Sequence, residues 1–274
     1  MTNSWESDLN EVLLYQPFPE VFDSHAHFLD EHFDEDRDMI ISDLHRFHVS
    51  GVMEAACRTE DLSKIIALCR RYPDLFIGAA GIHPEHAYEY TPENMALVRE
   101  ALSDPCMHAV GEIGLDYHYD DNPPRDIQRA CFEEHLALAS LFQKPALIHD
   151  RDAHGDCLDI LRSCAGSFSG VMHCFSGSWE TARECLDLGL YIGIGGSSTF
   201  KNAKKINEII PKLPLDRILL ETDCPYMAPE PFRGHRNDSR YMQLSLEHIV
   251  SLRPESREEI AEKLLENTRR FFSL

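Results

Sequence analysis

The chain has 274 residues, the composition of an ordinary globular protein and a formal net charge of −21. This charge excludes non-specific adhesion to nucleic acid through a cationic surface, although metal ions could supply positive charge at a local site. No stretch approaches the roughly 20 apolar residues of a membrane span, so we expect no membrane association.

Residues 1–20 are predicted to form an N-terminal arm preceding the main domain, 21–274. The arm has neither a basic region nor a long apolar run, so it does not resemble a signal peptide. Nine cysteines are scattered along the chain without CxxC pairs, which is typical of buried thiols in a reducing compartment. We therefore expect a cytoplasmic protein, and no segment indicates an obligate protein partner.

The first predicted strand begins at Val21 and leads into Asp23-Ser24-His25-Ala26-His27. Side chains alternate along a strand, so His25 and His27 are expected to point the same way. Two imidazoles on one rigid edge suit a divalent metal, but they could equally form a hydrogen-bonded pair.

Seven further short apolar runs follow, and helical patterns lie between them. The runs are continuous rather than alternating, as in a parallel sheet that helices cover on its outer face. We predict a single-domain α/β protein with a (β/α)₈ TIM barrel fold. The predicted later strands are 51–56, 75–83, 107–113, 145–149, 170–173, 190–195 and 217–222, and the clearest helices are 62–71, 125–143, 178–188 and 201–210.

Polar residues follow most of these strands, at the face where barrel enzymes place their chemistry. Each alone is more often structural, but six residues of metal-binding type at matching positions favour a shared site. They exceed the needs of one ion, so we predict two divalent ions bridged by Glu112. The mixture of imidazole and carboxylate suits Zn, Mn, Fe or Ni, and Mg less well. One ion is assigned His25, His27 and Asp223, and the other His149 and His173.

Six ordered sequence blocks resemble the TatD family of metal-dependent deoxyribonucleases, within the amidohydrolase superfamily. The blocks are VFDSHAHFLD, GIHPEHA, VGEIGLDYHYD, PALIHDRDA, MHCFSGS and LETDCPYMAP. The resemblance implies a TIM barrel, a divalent metal centre and hydrolysis of DNA phosphodiesters, often as a 3′ exonuclease. It carries the family's ligands to His25, His27, Glu112, His149, His173 and Asp223, and it makes His83 a phosphate-facing residue.

Further roles are hypotheses on this basis. Asp223 is expected to accept the proton of the attacking water, and Glu112 is the second catalytic residue. Arg151 is predicted either to hold phosphate or to pair with Asp116 or Glu221, carboxylates that would otherwise orient ligand imidazoles.

Four aromatic residues are candidates to stack on bases, or else to pack within the protein: Tyr117, Phe175, Trp179 and Phe200. One departure from the family pattern is Ser239, where proline is usual.

Two other functions fit the same residues. The metal centre could cleave a small-molecule amide, lactone or phosphoester, because fold and metals do not fix the substrate. A non-catalytic binding protein is disfavoured, since no member of the ligand set is missing.

Overall fold

A computed structural model describes residues 19–274. Eight parallel strands form one sheet in sequence order and close into a barrel, with helices between the strands. The predicted single-domain (β/α)₈ TIM barrel is thereby confirmed. The strands are β1 Val21–Ala26, β2 Val49–Ala55, β3 Phe76–Ala80, β4 Met107–Asp116, β5 Ala146–Arg151, β6 Gly170–Met172, β7 Tyr191–Ile194 and β8 Ile218–Leu220.

One helix follows each of the first seven strands, and two more follow β8. The Thr91 hydroxyl accepts the backbone N–H of Asn94 at 3.2 Å, and Ser256 and Glu259 form a capping box. Each cap fixes the start of a helix. The helices are α1 Arg37–Asp43, α2 Leu62–Arg71, α3 Pro92–Leu102, α4 Arg125–Phe142, α5 His154–Ser163, α6 Trp179–Asp187, α7 Lys204–Ile209, α8 Met242–Leu252 and α9 Arg257–Phe272.

Strand β4 extends three residues beyond its predicted end at Ile113. The extension pairs with the end of β5, where Asp116 is the register partner of Arg151. This pairing is long-range, so a local apolar pattern could not reveal it. Its consequence is that both strands carry polar residues up to the rim of the barrel.

The barrel has two apolar cores. The larger one lies between the sheet and the surrounding helices. The smaller one collects inward-facing residues of several strands, among them Met53, Leu147 and Leu219, together with Phe272 of α9. The ring of Phe272 lies 6.1 Å from that of Phe22 on β1. A filled interior of this kind leaves only the rim free for chemistry.

The predicted N-terminal arm falls largely on residues 1–18, which lie outside the described part of the chain. The carbonyl oxygen of Pro19, the first residue that the structure describes, accepts a hydrogen bond from the Gln243 side-chain amide at 3.1 Å. Within residues 19–274, no helix is long and apolar enough to cross a membrane.

Candidate metal centre

Five strands bring polar side chains to one rim of the barrel. His25 lies in β1, Glu112 in β4, and His149 in β5. His173 directly follows β6, and Asp223 follows β8 by three residues. All of these side chains are buried or half-buried. The convergence predicted from the strand ends is therefore present in the fold.

The Glu112 carboxylate lies at the centre of this group. Its Oε2 atom is 3.2 Å from Nε2 of His25 and 3.4 Å from Nε2 of His27. The two imidazole nitrogens are themselves 3.1 Å apart. Oδ1 of Asp223 lies 3.7 Å from Nε2 of His27. One Glu112 oxygen therefore faces the imidazoles of His25 and His27, while Asp223 Oδ1 also lies 3.7 Å from Nε2 of His173.

The other carboxylate oxygen of Glu112, Oε1, faces a different set of imidazoles. It lies 2.9 Å from Nδ1 of His149, 3.4 Å from Nε2 of His83 and 3.5 Å from Nε2 of His173. The two oxygens thus divide the surrounding imidazoles into two groups. The sequence assigned His149 and His173 to one ion but did not place His83 beside them.

These separations fit metal coordination. Ligand atoms at about 2.0–2.2 Å from one ion lie roughly 3.0–3.5 Å from one another. The distances from Glu112 Oε2 to His25 and His27 match that range. Nitrogen and carboxylate oxygen ligands without thiolate suit Zn, Mn, Fe or Ni. The residues present therefore fit a divalent metal centre.

Burial and neighbouring imidazoles shift the pKa values of the carboxyl groups in the cluster. Burial opposes ionisation of Glu112, but the neighbouring imidazoles of His83, His25 and His173 hold its pKa well below the usual range. Burial also raises the pKa of Asp223, and His173 and His27 offset only part of this effect. The pKa values of the two carboxyl groups are therefore shifted in opposite directions.

His83 differs from the other imidazoles in its hydrogen bonding. Its Nδ1 accepts the backbone N–H of Glu85 at 3.2 Å, so the proton of the neutral ring sits on Nε2. That Nε2–H points at Glu112. By contrast, Nδ1 of His27 lies 3.1 Å from the carbonyl oxygen of Ala55 and donates to it, which leaves the Nε2 lone pair free. His83 is thus arranged as a donor and His27 as a ligand.

Two outer carboxylates hold imidazoles of the cluster. Oδ2 of Asp116 lies 2.9 Å from Nε2 of His149, and Oε1 of Glu221 lies 3.3 Å from Nδ1 of His173. Gly193 makes room for Glu221, because a Cβ there would lie 2.4 Å from its Oε2 atom. Both carboxylates occupy the places that the sequence suggested for groups orienting the imidazoles.

Strands β1 and β8 meet at a seam built around Asp23. The buried Asp23 carboxylate accepts 2.6 Å bonds from the hydroxyls of Thr222 and Ser239, and a 2.9 Å bond from the Thr222 N–H. The backbone N–H of Asp223 donates to the carbonyl of His25 at 3.0 Å. We call this group, Asp23, Thr222 and Ser239, the β1–β8 seam. It fixes the positions of His25 and Asp223.

Sequence reasoning missed the contribution of β2. Sγ of Cys57 lies 3.7 Å from Nδ1 of His27. Buried Glu54 accepts the backbone N–H groups of Phe28 and Leu29 at 2.8 and 2.9 Å, and so holds the turn after His27. The signal was present, since an acidic residue inside the apolar run 51–56 needs partners.

Arg151 and Tyr117, which the sequence suggested for substrate contact, differ in their hydrogen-bond partners. Within residues 19–274, Arg151 forms no ion pair with Asp116 or Glu221, the alternative expected from the sequence, and Nη1 of Arg151 lies 3.3 Å from the Tyr119 hydroxyl. Tyr117 is committed elsewhere, because its hydroxyl donates to Asp156 at 2.9 Å.

The fold and the cluster together define a class of protein. A (β/α)₈ barrel with imidazoles and carboxylates gathered around one glutamate at its rim is the architecture of a metal-dependent hydrolase. Comparison with known proteins gives the family. The sequence model of the family described as TatD related DNase matches residues 22–273. The chain belongs to the TatD family of metal-dependent hydrolases.

Individual relatives agree with this assignment. The metal-dependent hydrolase YabD of Bacillus subtilis is 39% identical over 255 residues, which cover 93% of this chain and 99% of YabD. The 3′-5′ ssDNA/RNA exonuclease TatD of Erwinia tasmaniensis is 32% identical over 260 residues. The match covers 93% of this chain and 100% of the Erwinia protein. The crystal structure of YjjV, a TatD homologue from Escherichia coli, superposes with a TM-score of 0.88 at 32% identity, covering 93% of this chain and 98% of YjjV.

Proposed function

We propose that this enzyme hydrolyses phosphodiester bonds at the 3′ end of DNA, with two divalent cations held at the rim. The ligands would be His25, His27, Glu112, His149, His173 and Asp223, with Glu112 shared between the ions. The observation that carries the proposal is the division of imidazoles between the two Glu112 oxygens. A shared carboxylate of this kind is the arrangement that two-ion sites for in-line displacement require.

The cations, which would be Zn, Mn, Mg, Fe or Ni, would supply acidification of a water and neutralisation of charge on the phosphoryl oxygens. The protein's own groups do the rest. Asp223 accepts the proton of the attacking water, and the Nε2–H of His83 donates to a phosphoryl oxygen. Arg151 offers a guanidinium to the same phosphate. Asp116 and Glu221 keep His149 and His173 in position.

The relatives support nucleic acid as the substrate, since the Erwinia tasmaniensis protein carries the name of a 3′-5′ ssDNA/RNA exonuclease. The net charge of −21 agrees with a substrate that is held locally at the rim and not over a broad basic surface. All nine cysteines are free thiols, which supports a reducing, cytoplasmic location.

The test uses the metal-loaded protein with single-stranded DNA carrying a free or a blocked 3′ end. Bis-p-nitrophenyl phosphate, amides and lactones complete the panel. We expect cleavage of the free 3′ end and of the phosphodiester, both abolished by EDTA. Cleavage of lactones or amides with untouched phosphodiesters would overturn the proposal.

Two variants test the residue roles. Asp223→Asn should keep the fold and lose about 10²–10⁴-fold in kcat, the usual contribution of a general base. Asp121→Asn, an exposed aspartate on the loop after β4, is the matched control and should keep full activity. Metal analysis of Glu112→Gln should give fewer than two ions per chain. Two tightly bound ions in that variant would remove Glu112 from the shared position.

A further inference from the structure

Tyr119 is an exposed aromatic residue beside the metal centre. It lies three residues past the end of β4, and 47% of its surface is accessible to solvent. Cζ of Arg151, the last residue of β5, lies 4.9 Å from the centre of its ring. The ring of His118 meets the Tyr119 ring edge-on at 4.7 Å. The tyrosine therefore contacts Arg151 over one face of its ring and also contacts His118, while nearly half of the residue remains accessible to solvent.

The position of this pair follows from the strand register. Arg151 is two residues past His149 on β5, and it is the register partner of Asp116 on β4. Asp116 in turn contacts Nε2 of His149. Tyr119 and Arg151 thus lie on the side of the rim where Glu112 Oε1 faces its imidazoles.

Arg151 is also uncommitted. Two arginines of the segment after β8 pair with carboxylates: Arg236 donates two bonds to Asp36, and Arg240 donates two to Asp238. Among the described residues, no carboxylate pairs with Arg151, whose one hydrogen bond goes to the Tyr119 hydroxyl. A guanidinium left without an anion in so acidic a chain is suited to an anionic ligand.

Tyr117, two residues before Tyr119, has different surroundings. Its hydroxyl donates to Asp156, and Cζ of Arg125 covers its ring at 4.2 Å. Phe175 is buried. Of the aromatic residues near β4, the geometry therefore points to Tyr119 and not to Tyr117 as the one available to a ligand.

We propose that Tyr119 and Arg151 form a nucleotide subsite, in which the tyrosine ring stacks on the base next to the scissile phosphate while the guanidinium faces the phosphate itself. This inference rests on the proposed function and assigns to Tyr119 the contact with an unpaired base. A paired base is stacked within its own duplex and does not present a free face to the ring. The bond from Arg151 holds the ring in place before the base arrives.

The experiment is a double cycle that varies the protein and the substrate together. Wild type and Tyr119→Ala are each assayed on a single-stranded oligonucleotide and on the same strand with an abasic residue next to the scissile phosphate. Removal of one stacking partner costs about 10- to 100-fold. We expect Tyr119→Ala to lower kcat/KM by that factor on the intact strand and by less than about threefold on the abasic strand.

Companion variants separate stacking from folding. Tyr119→Phe and Tyr119→Trp retain an aromatic face but lose the hydroxyl that Arg151 contacts, so both should stay within about threefold of wild type on both substrates. Leu141→Ala removes an exposed apolar side chain from the last turn of α4, at the opposite end of the barrel, and should change neither. Metal content should be equal in all variants.

Equal losses on the intact and abasic strands would overturn the subsite, as would full activity of Tyr119→Ala on the intact strand. Failure of the proposed function is distinguishable, because wild type would then cleave neither strand. Equal cleavage of single strands and blunt duplexes by wild type would also contradict the inference.

Discussion

The β1–β8 seam and the Tyr119–Arg151 subsite lie on different sides of the same rim, and they are built in different ways. In the seam, Asp23 is buried and its carboxylate accepts bonds from Thr222 and Ser239. At the subsite, Tyr119 is half exposed and Arg151 has no carboxylate partner among the described residues. The comparison indicates that the seam positions the candidate metal ligands His25 and Asp223, while the proposed subsite is left accessible.

The strongest test of this contrast is Asp23→Ala. The change leaves the buried donors of Thr222 and Ser239 without an acceptor, so the free energy of unfolding should fall by about 3 kcal/mol. Because Asp23 also fixes His25, metal affinity should fall by about 10- to 100-fold. Urea unfolding and competition with a chelator measure the two effects.

Ser239→Ala is a milder change in the same seam. It removes one donor and keeps the carboxylate, so it should lower the free energy of unfolding by only about 1 kcal/mol. Normal stability and normal metal affinity in Asp23→Ala would show that the seam does not position the site.

The comparison of the seam and the subsite also requires a pH at which other groups do not change the free energy of unfolding. One such group, His135, lies outside both regions. His135 is buried on α4, and this burial lowers its pKa to about 4. The unfolded chain, with a histidine pKa of about 6.5, therefore binds this proton first as the pH falls. The free energy of unfolding should decline between pH 6.5 and pH 4, by about 3 kcal/mol in total from this group.

His135→Gln should remove that part of the decline, which denaturant titrations at several pH values can measure. The seam and rim variants can then be compared at about pH 8, where His135 contributes almost no slope. An unchanged acid slope in His135→Gln would assign the decline to other groups.

Arg151→Met is expected to have the smallest effect on stability. The methionine keeps an apolar stem and removes a guanidinium whose one protein partner is the Tyr119 hydroxyl, so the free energy of unfolding should change by less than about 0.5 kcal/mol. The kcat/KM for DNA should nevertheless fall by about 10- to 100-fold, since a charge-assisted bond to phosphate is lost. A large loss of stability would show that Arg151 supports the fold, as the β1–β8 seam does. It would contradict the contrast drawn between the seam and the subsite.

The fold could be predicted because its signals are local. Eight apolar runs and the caps at Thr91 and Ser256 are written in short windows of sequence. Strand ends in a parallel barrel all meet at one rim, so the gathering of His25, Glu112 and His173 followed from topology alone.

Other features could not be predicted, because they depend on side chains that are distant in sequence. Whether Tyr117 or Tyr119 is exposed is decided by Asp156 and Arg125 on neighbouring helices. The place of His83 beside His149 depends on the width of the barrel. The bond from Ser239 to Asp23 spans 216 residues and has no local signature.

The seam also bears on the order of events in folding. It joins the first strand of the barrel to the last, and closing so long a loop costs entropy that only late contacts can offset. His25 and Asp223 therefore reach each other only when the barrel is complete. A chain that has not closed this seam lacks the full set of candidate ligands, so we expect hydrolysis to begin only after the barrel has closed.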